Sequence, residues 1–446
     1  MAQGKGSSDM SKKLHVLAVA PYCDGTDVGE AWCAFMWVKE LVKKADVTVI
    51  TQHREGCVPL SEQLPNVRVL SRVEPAWARK FERLNAMAKL AYPGFLKWAR
   101  KTIRMQLETG ITFDIGHQFS PIALRYPSPL QGSGIPYVIG PLGGSLSTPT
   151  GFKKECGSSA LFTRLRGLDG MRLKFDPALK RSYREASLVL GVAPYVADLL
   201  KPAGVSKFAV MSELGVSQLK KPAPAKFQKT DAVHLLHVGR GVRTKGLRDV
   251  IRALAKLKHL PGLHLDVAGK GEEMPICQEL AQELGVSHRV TFHGQIPRAK
   301  VDELYQNADI FCFPSFREPS GSVIFEALSQ GLPAIVADRG GPGHVIDDTC
   351  GFKIPVTTPD ELADNLASAI QTLATMPELR HSLSEGALRK MQGLALWPSK
   401  IGALLAHYDE VLNSDDVDKK EKKPCQPKQR YLLSHLAEAT GSSSCA

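Results

Sequence analysis

Short β-branched runs alternate with helix-length segments along most of the chain, in two series separated by a compositional break. That rhythm leaves few folds open. When a helix-length segment separates successive strands, a tight hairpin cannot join them, and the strands are led into parallel sheets covered by helices. The first series predicts strands at 14–19, 47–51, 67–70, 113–117, 137–140, 188–190 and 208–211. The second predicts strands at 233–238, 263–268, 290–292, 310–313 and 334–337. Between them, residues 218–230 (QLKKPAPAKFQKT) carry two prolines and four lysines, the composition of a linker. The expected organisation is two Rossmann-like α/β domains, 1–217 and 231–395, joined by 218–230. A helix at 396–413 is expected to pack back on the first domain, ahead of a polar tail at 414–446. That tail is expected to be disordered, with at most a short helix at 431–439.

A length of 446 residues with 43% apolar content is enough for two or three cores. Nine scattered cysteines form no C-x-x-C pair and read as reduced thiols of a cytoplasmic protein rather than zinc or redox ligands. The apolar run 14–20 is too short for a membrane span, and no later run reaches the roughly 18 residues a spanning helix needs. The expectation is a soluble chain, attached at most to the inner face of the cytoplasmic membrane. Of the net charge of +12, residues 1–215 hold 29 Lys+Arg against 18 Asp+Glu, and the rest of the chain holds 28 against 27. The basic surface therefore belongs to the first half. Anionic lipid headgroups, phosphorylated substrates and nucleic acid all suit such a surface, as does plain solvation.

Two segments of the second half carry chemistry. After the strand 233–238 comes Gly239-Arg240-Gly241-Val242-Arg243-Thr244-Lys245-Gly246, and then an amphipathic helix. A glycine-punctuated strand-to-helix turn directs backbone N–H groups at an anion, and Arg240 and Lys245 add a planar fork and a point charge. The same composition also makes ordinary solvated turns. The order of residues is not G-x-x-x-x-G-K-[ST], so a nucleoside-triphosphatase loop is excluded. The second segment, 314–328 (PSFREPSGSVIFEAL), follows the strand 310–313 and places Glu318 in a loop and Glu326 eight positions on, inside a helix. Two carboxylates and the free amides of a helix start suit polyhydroxyl recognition. Taken singly, Glu318 reads equally as a loop charge and Glu326 as an exposed helix residue.

The Glu-x7-Glu spacing, preceded by Phe-Pro-Ser and followed by Ala-Leu-Ser-Gln-Gly-Leu-Pro, resembles the signature of glycosyltransferase family 4. The Arg240/Lys245 turn is similar to that family's G-R-x-x-x-x-K-G element in order and spacing. The resemblance covers 233–395 well and 14–215 loosely. It implies a GT-B fold, two Rossmann-like domains facing each other across a cleft, and a retaining, metal-independent hexosyltransferase with no cofactor. A nucleoside-diphosphate sugar would be the donor and a saccharide or lipid-linked molecule the acceptor, in polysaccharide, lipopolysaccharide or glycolipid synthesis. Arg240 and Lys245 would bind the diphosphate and stabilise it as it leaves. Glu318 would bind the transferred sugar, Glu326 the ribose, and Gly239, Gly321, Ser322, Val323 and Gly341 would complete the donor side. An inactive homologue that binds a nucleotide sugar or serves an assembly is the alternative.

The acceptor side is expected in the first half. Gly29 opens a helix after the strand 14–19, and Gly143 and Gly144 lie in a loop after the strand 137–140 whose amides look free for a substrate. Many family members carry a histidine in that loop, and here there is none. His117, at the end of the strand 113–117, is the substitute expected to face the cleft, unless it is a structural core histidine. Residues 76–107 carry eight Lys/Arg against Glu82 alone, with Trp77, Phe81, Tyr92, Phe95 and Trp98 interleaved. With the basic stretch 153–184, they suggest an anionic membrane surface as a partner; the aromatics suit a core equally. No nucleic-acid motif accompanies the charge, and no nucleic-acid partner is expected.

Overall fold

The computed structural model describes residues 13–80, 89–156, 169–222 and 232–421. The expected linker beyond residue 222, the expected helix at 431–439, and residues 81–88 and 157–168 of the two basic stretches lie outside the described residues.

The first sheet contains β1 (His15–Val19), β2 (Asp46–His53), β3 (Arg68–Val73), β4 (Ile115–Gln118), β5 (Tyr137–Leu142), β6 (Leu188–Gly191) and β7 (Phe208–Val210). The second contains β8 (Val233–Val238), β9 (Leu263–Ala268), β10 (Val290–Gly294), β11 (Ile310–Phe313), β12 (Ala334–Ala337) and β13 (Gly351–Ile354). Their strand orders are β3-β2-β1-β4-β5-β6-β7 and β10-β9-β8-β11-β12-β13. All pairings are parallel, with β1 registered on β2 through His15 to Asp46 and β8 on β9 through Val233 to Leu263. Central strands such as β4 and β11 are buried along their whole length, as strands covered on both faces must be. β13 was not expected: its run Gly-Phe-Lys-Ile has neither alternation nor β-branched weight, and pairing with β12 through Ala334 to Gly351 makes it a strand.

Each sheet has an apolar cluster on either face. The two halves of the chain exchange material between these clusters. The long helix Trp397–Glu421 follows the second sheet, yet its Trp397, Ile401, Leu404, Tyr408 and Val411 are buried with Trp37, Phe119 and Leu190 on the first. It runs eight residues beyond the expected end at 413, into the stretch expected to be disordered. In the other direction, Phe152 belongs to the first half by sequence but is fully buried among Val250, Leu265, Phe316 and Ile370 of the second.

Both sheets are doubly wound. In such sheets the strand order reverses between the first and fourth strands, and the loops leaving their carboxyl ends part to open a crevice. Those points lie between β1 and β4 and between β8 and β11. The segments singled out in the second half are the loops that leave β8 and β11.

Candidate active site

The loop after β8 ends in a 3-10 turn, Arg243–Lys245, closed by Gly246 at φ +83°. A Cβ on Gly246 would lie 2.5 Å from the Pro314 carbonyl oxygen, so both the positive φ and the close approach to the second loop require glycine. The Thr244 carbonyl accepts from the Phe316 amide at 3.2 Å and from Ser315 Oγ at 2.9 Å. The two loops are thereby stitched into one surface. Across it the Lys245 ammonium forms an ion pair with the Glu318 carboxylate. Its Nζ also stands 5.4 Å from the centre of the Phe313 ring. Arg240 is exposed and lines a pocket of about 290 Å³ with Gly239, Gly269, Lys270, Gly294 and Gln295.

Gly321, at φ +85°, starts the helix Ser322–Ser329, with Ser322 exposed and Val323 half-buried. One turn on, Glu326 accepts from Arg298 Nη1 at 2.9 Å and Tyr305 Oη at 3.2 Å, so its carboxylate is partnered and held in place. Gly341 supports the loop from behind. Its amide donates to the Glu318 carbonyl at 3.2 Å, and a Cβ there would lie 2.4 Å from the Ser320 carbonyl. His344, in the helix Gly340–Val345 that also holds Gly341, is exposed. The structure thus brings Lys245 and Glu318 into contact and sets Gly321 and Gly341 against the same loop.

Two residues that sequence reasoning missed underlie this surface. His237 on β8 is buried, shares a hydrogen bond with the Cys312 carbonyl at 2.9 Å, and is pushed down to about 4 by burial, with Lys245 adding to the effect. It is a neutral wall behind the ammonium. Arg243 is 5% exposed, holds Asp249 through two bonds of 2.7 and 2.9 Å, and lies 5.3 Å from the ring centres of both Phe152 and Phe316. The sequence signal for it was Asp249, a carboxylate on the apolar face of an amphipathic helix, which demands a buried cation.

The first half differs from expectation. His117 does not reach the cleft: it is fully buried, bridged between Tyr408 Oη at 2.5 Å and the Gly140 carbonyl at 2.8 Å, and stacked on Phe119. Burial pushes it down to about 3, so it is a neutral core residue tying the returning helix to the sheet. The amides of Gly143 and Gly144 are not free either. They donate to the Ile122 carbonyl at 2.8 Å and to Tyr195 Oη at 3.1 Å. Gly29, at φ +65°, begins the helix Glu30–Leu41, and its neighbours Val28 and Glu30 line a cavity of about 500 Å³ with Tyr22, Arg54, Glu74, Lys89 and Ser120. This cavity sits at the carboxyl ends of β1 to β4. Among the described residues no group of three or more His, Cys, Asp or Glu side chains could hold a metal ion.

Two doubly wound parallel sheets, each with its switch-point loops gathered into a site, constitute the GT-B glycosyltransferase fold. Residues 220–390 match the family model for glycosyl transferases group 1. An uncharacterized glycosyltransferase of Methanocaldococcus jannaschii is 34% identical over 134 residues, 30% of this chain and 34% of that protein. The lipopolysaccharide core biosynthesis glycosyltransferase LpsE of Rhizobium meliloti is 29% identical over 223 residues, 48% of this chain and 62% of its own. The chain thus spans between about a third and about three fifths of these curated relatives. Among solved structures, Anabaena HepE in complex with UDP superposes with a TM-score of 0.59 at 18% identity, covering 89% of this chain and all of that one.

Proposed function

We propose that the chain transfers a hexose from a nucleoside-diphosphate sugar to a saccharide or lipid-linked acceptor, with retention at the anomeric carbon and without a metal. The observation that carries this reading is the Lys245–Glu318 pair at the switch point of the second sheet, with Arg240 exposed on the same loop after β8 and lining an open pocket. An ammonium that meets a sugar-binding carboxylate there is placed for the bond between sugar and phosphate. Donor binding replaces part of this ion pair: Lys245 and Arg240 take the diphosphate oxygens, and Glu318 turns to sugar hydroxyls. The same cations stabilise the charge that accumulates on the leaving diphosphate, which is electrostatic catalysis by prepositioned groups. Glu326, oriented by Arg298 and Tyr305, takes the ribose diol. The acceptor enters through the cavity beside Gly29. The HepE complex supports UDP as the first nucleotide to try.

A screen of nucleotide sugars for release of nucleoside diphosphate tests the activity, and the anomeric configuration of the product tests retention. Turnover unchanged in EDTA is expected; loss restored by Mg²⁺ would refute metal independence. If no nucleotide sugar is consumed but a nucleotide still binds, the inactive-homologue reading stands instead.

The charge of the first half supports a membrane surface as second partner. In the helix Tyr92–Glu108, Tyr92 and Phe95 are core residues rather than interfacial ones, while Lys97, Lys101 and Arg104 are exposed. In the second basic stretch, Arg172 and Lys174 are exposed beside Met171 and Phe175, the last 69% exposed. Cations with protruding apolar tips suit an anionic bilayer. Flotation with phosphatidylglycerol vesicles but not phosphatidylcholine vesicles is expected, and indifference to lipid charge would end this reading. Among the described residues no helix is long and apolar enough to cross a membrane.

A further inference from the structure

Residues 143–156 leave the first sheet after β5 and cross to the second half as a strap over the Glu318 loop. A Cβ on Gly143 would lie 3.6 Å from Pro319 Cβ, and one on Gly340 would lie 2.8 Å from Leu146 Cδ1. Arg339 Nη2 donates to the Ser147 carbonyl at 3.1 Å, and Arg317 Nη1 to Thr148 Oγ1 at 3.3 Å. Gly151 lies so close to the donor-side half that a Cβ would fall 2.2 Å from the Thr357 carbonyl oxygen. The strap then plants Phe152 in the second core, its ring 4.5 Å from that of Phe316.

Its last anchor is electrostatic. The Glu155 carboxylate accepts from Arg243 Nε at 2.7 Å and from Arg252 Nη2 at 2.7 Å. Partial burial works against its charge, yet Arg252 and Arg243 hold the carboxyl below the usual range. Arg243 is the first residue of the 3-10 turn whose last residue is Lys245. Within the second half, Asp249 is shared between Arg243 and Arg252. Glu155 supplies the second carboxylate of this cluster and with it a fixed point, held by the opposite half of the chain, that sets where the Arg243 guanidinium and the turn behind it lie.

We propose that Glu155 is a positioning residue for the diphosphate-binding turn, acting through Arg243 on Lys245 and linking strap docking to donor binding. The inference rests on the proposed role of Lys245. Docking of the strap orders the turn, and a diphosphate that binds the ordered turn favours the docked strap in return, since coupling between two binding events is reciprocal. A nucleoside monophosphate, which lacks the outer phosphate, draws less on this coupling.

The test uses the full chain and calorimetric affinities for UDP and UMP, with GDP/GMP and ADP/AMP in parallel; the pair that binds best is taken. Glu155→Gln is expected to weaken the diphosphate about tenfold while the monophosphate changes by less than about twofold, and Glu155→Asp to recover most of the difference. Arg252→Gln, which leaves the Arg243–Glu155 bond in place, keeps the ratio of the two affinities. A ratio unchanged in Glu155→Gln, or one lowered equally by Arg252→Gln, overturns the positioning role. If Lys245→Ala leaves diphosphate affinity intact, the donor reading itself fails; if Lys245→Ala abolishes it and Glu155→Gln does nothing, only the strap inference fails.

Discussion

The two switch points have the same topology and opposite construction. Between β8 and β11 the crevice is built from charge: Lys245 paired to Glu318, Arg240 exposed, Glu326 held by Arg298 and Tyr305. Between β1 and β4 the strand that could have carried a cleft histidine instead buries it, and the opening is a cavity of about 500 Å³ lined by residues from four separate loops. Under the proposed function, the difference follows from what each site would recognise. A diphosphate is the same in every donor, and a short fixed set of cations and a helix start would hold it. Acceptors differ, so on that reading the first half needs a shaped space more than a motif.

The contrast can be broken most forcefully at the strap. Phe152→Ala should destabilise the chain by about 3–5 kcal/mol and lower the denaturation midpoint of the second half, although residue 152 belongs to the first by sequence. A loss confined to the first half would make the two cores independent. Next in size, Lys245→Ala should lower turnover by about 10²–10³ with folding intact, the cost of removing one prepositioned stabiliser of the leaving group. An equal loss in His117→Gln, measured under the same saturating donor, would erase the difference between the two switch points, since His117 should affect stability alone. Gly246→Ala should cost about 1–3 kcal/mol, because it forces a side chain to φ +83° against the Pro314 carbonyl; chemical denaturation measures it.

Acidity should act on both halves through their cores. Burial holds His117 and His237 neutral in the fold, pushed down to about 3 and about 4 from the ordinary 6.5 of a histidine. Below pH 6.5 the unfolded chain therefore binds more protons than the folded one, and stability falls as the pH drops toward 4. The thermal midpoint should decline over that window and the slope should diminish in His117→Gln; a slope unaltered by the substitution would remove His117 as a source. The smallest effect is expected at Arg298→Ala. Loosening an exposed partner of Glu326 should raise the donor KM by about two- to fivefold and leave kcat unchanged.

The sheets were legible because strands buried on both faces must be written as compact apolar runs, as in Ile310–Phe313 and Ala334–Ala337. Strand Gly351–Ile354 was not, since its pairing with β12 rather than its composition makes it a strand. Lys245 and Glu318 could be found because each lies in a contiguous segment with its own glycines. Glu155 could not: it lies 88 residues from its partner Arg243, and nothing local distinguishes it from a surface charge. His117 misled for a related reason. The end of a central strand is where a cleft residue belongs, but the returning helix brings Tyr408 from 291 positions away to cover it.

The exchange of Phe152 for the helix Trp397–Glu421 has a consequence for how the molecule is made. Synthesis runs from the amino end, so Phe152 leaves the ribosome long before the Val250, Leu265 and Ile370 that will enclose it. The first sheet is likewise complete by Val210, yet the residues that cover one of its faces, Trp397 to Val411, come nearly two hundred positions later. Neither half can close its core while the other is missing. A nascent chain must therefore carry an uncovered aromatic until the second half emerges and an uncovered sheet face until Trp397 to Val411 follow, and the helix Trp397–Glu421 acts as the fastener that completes the first core.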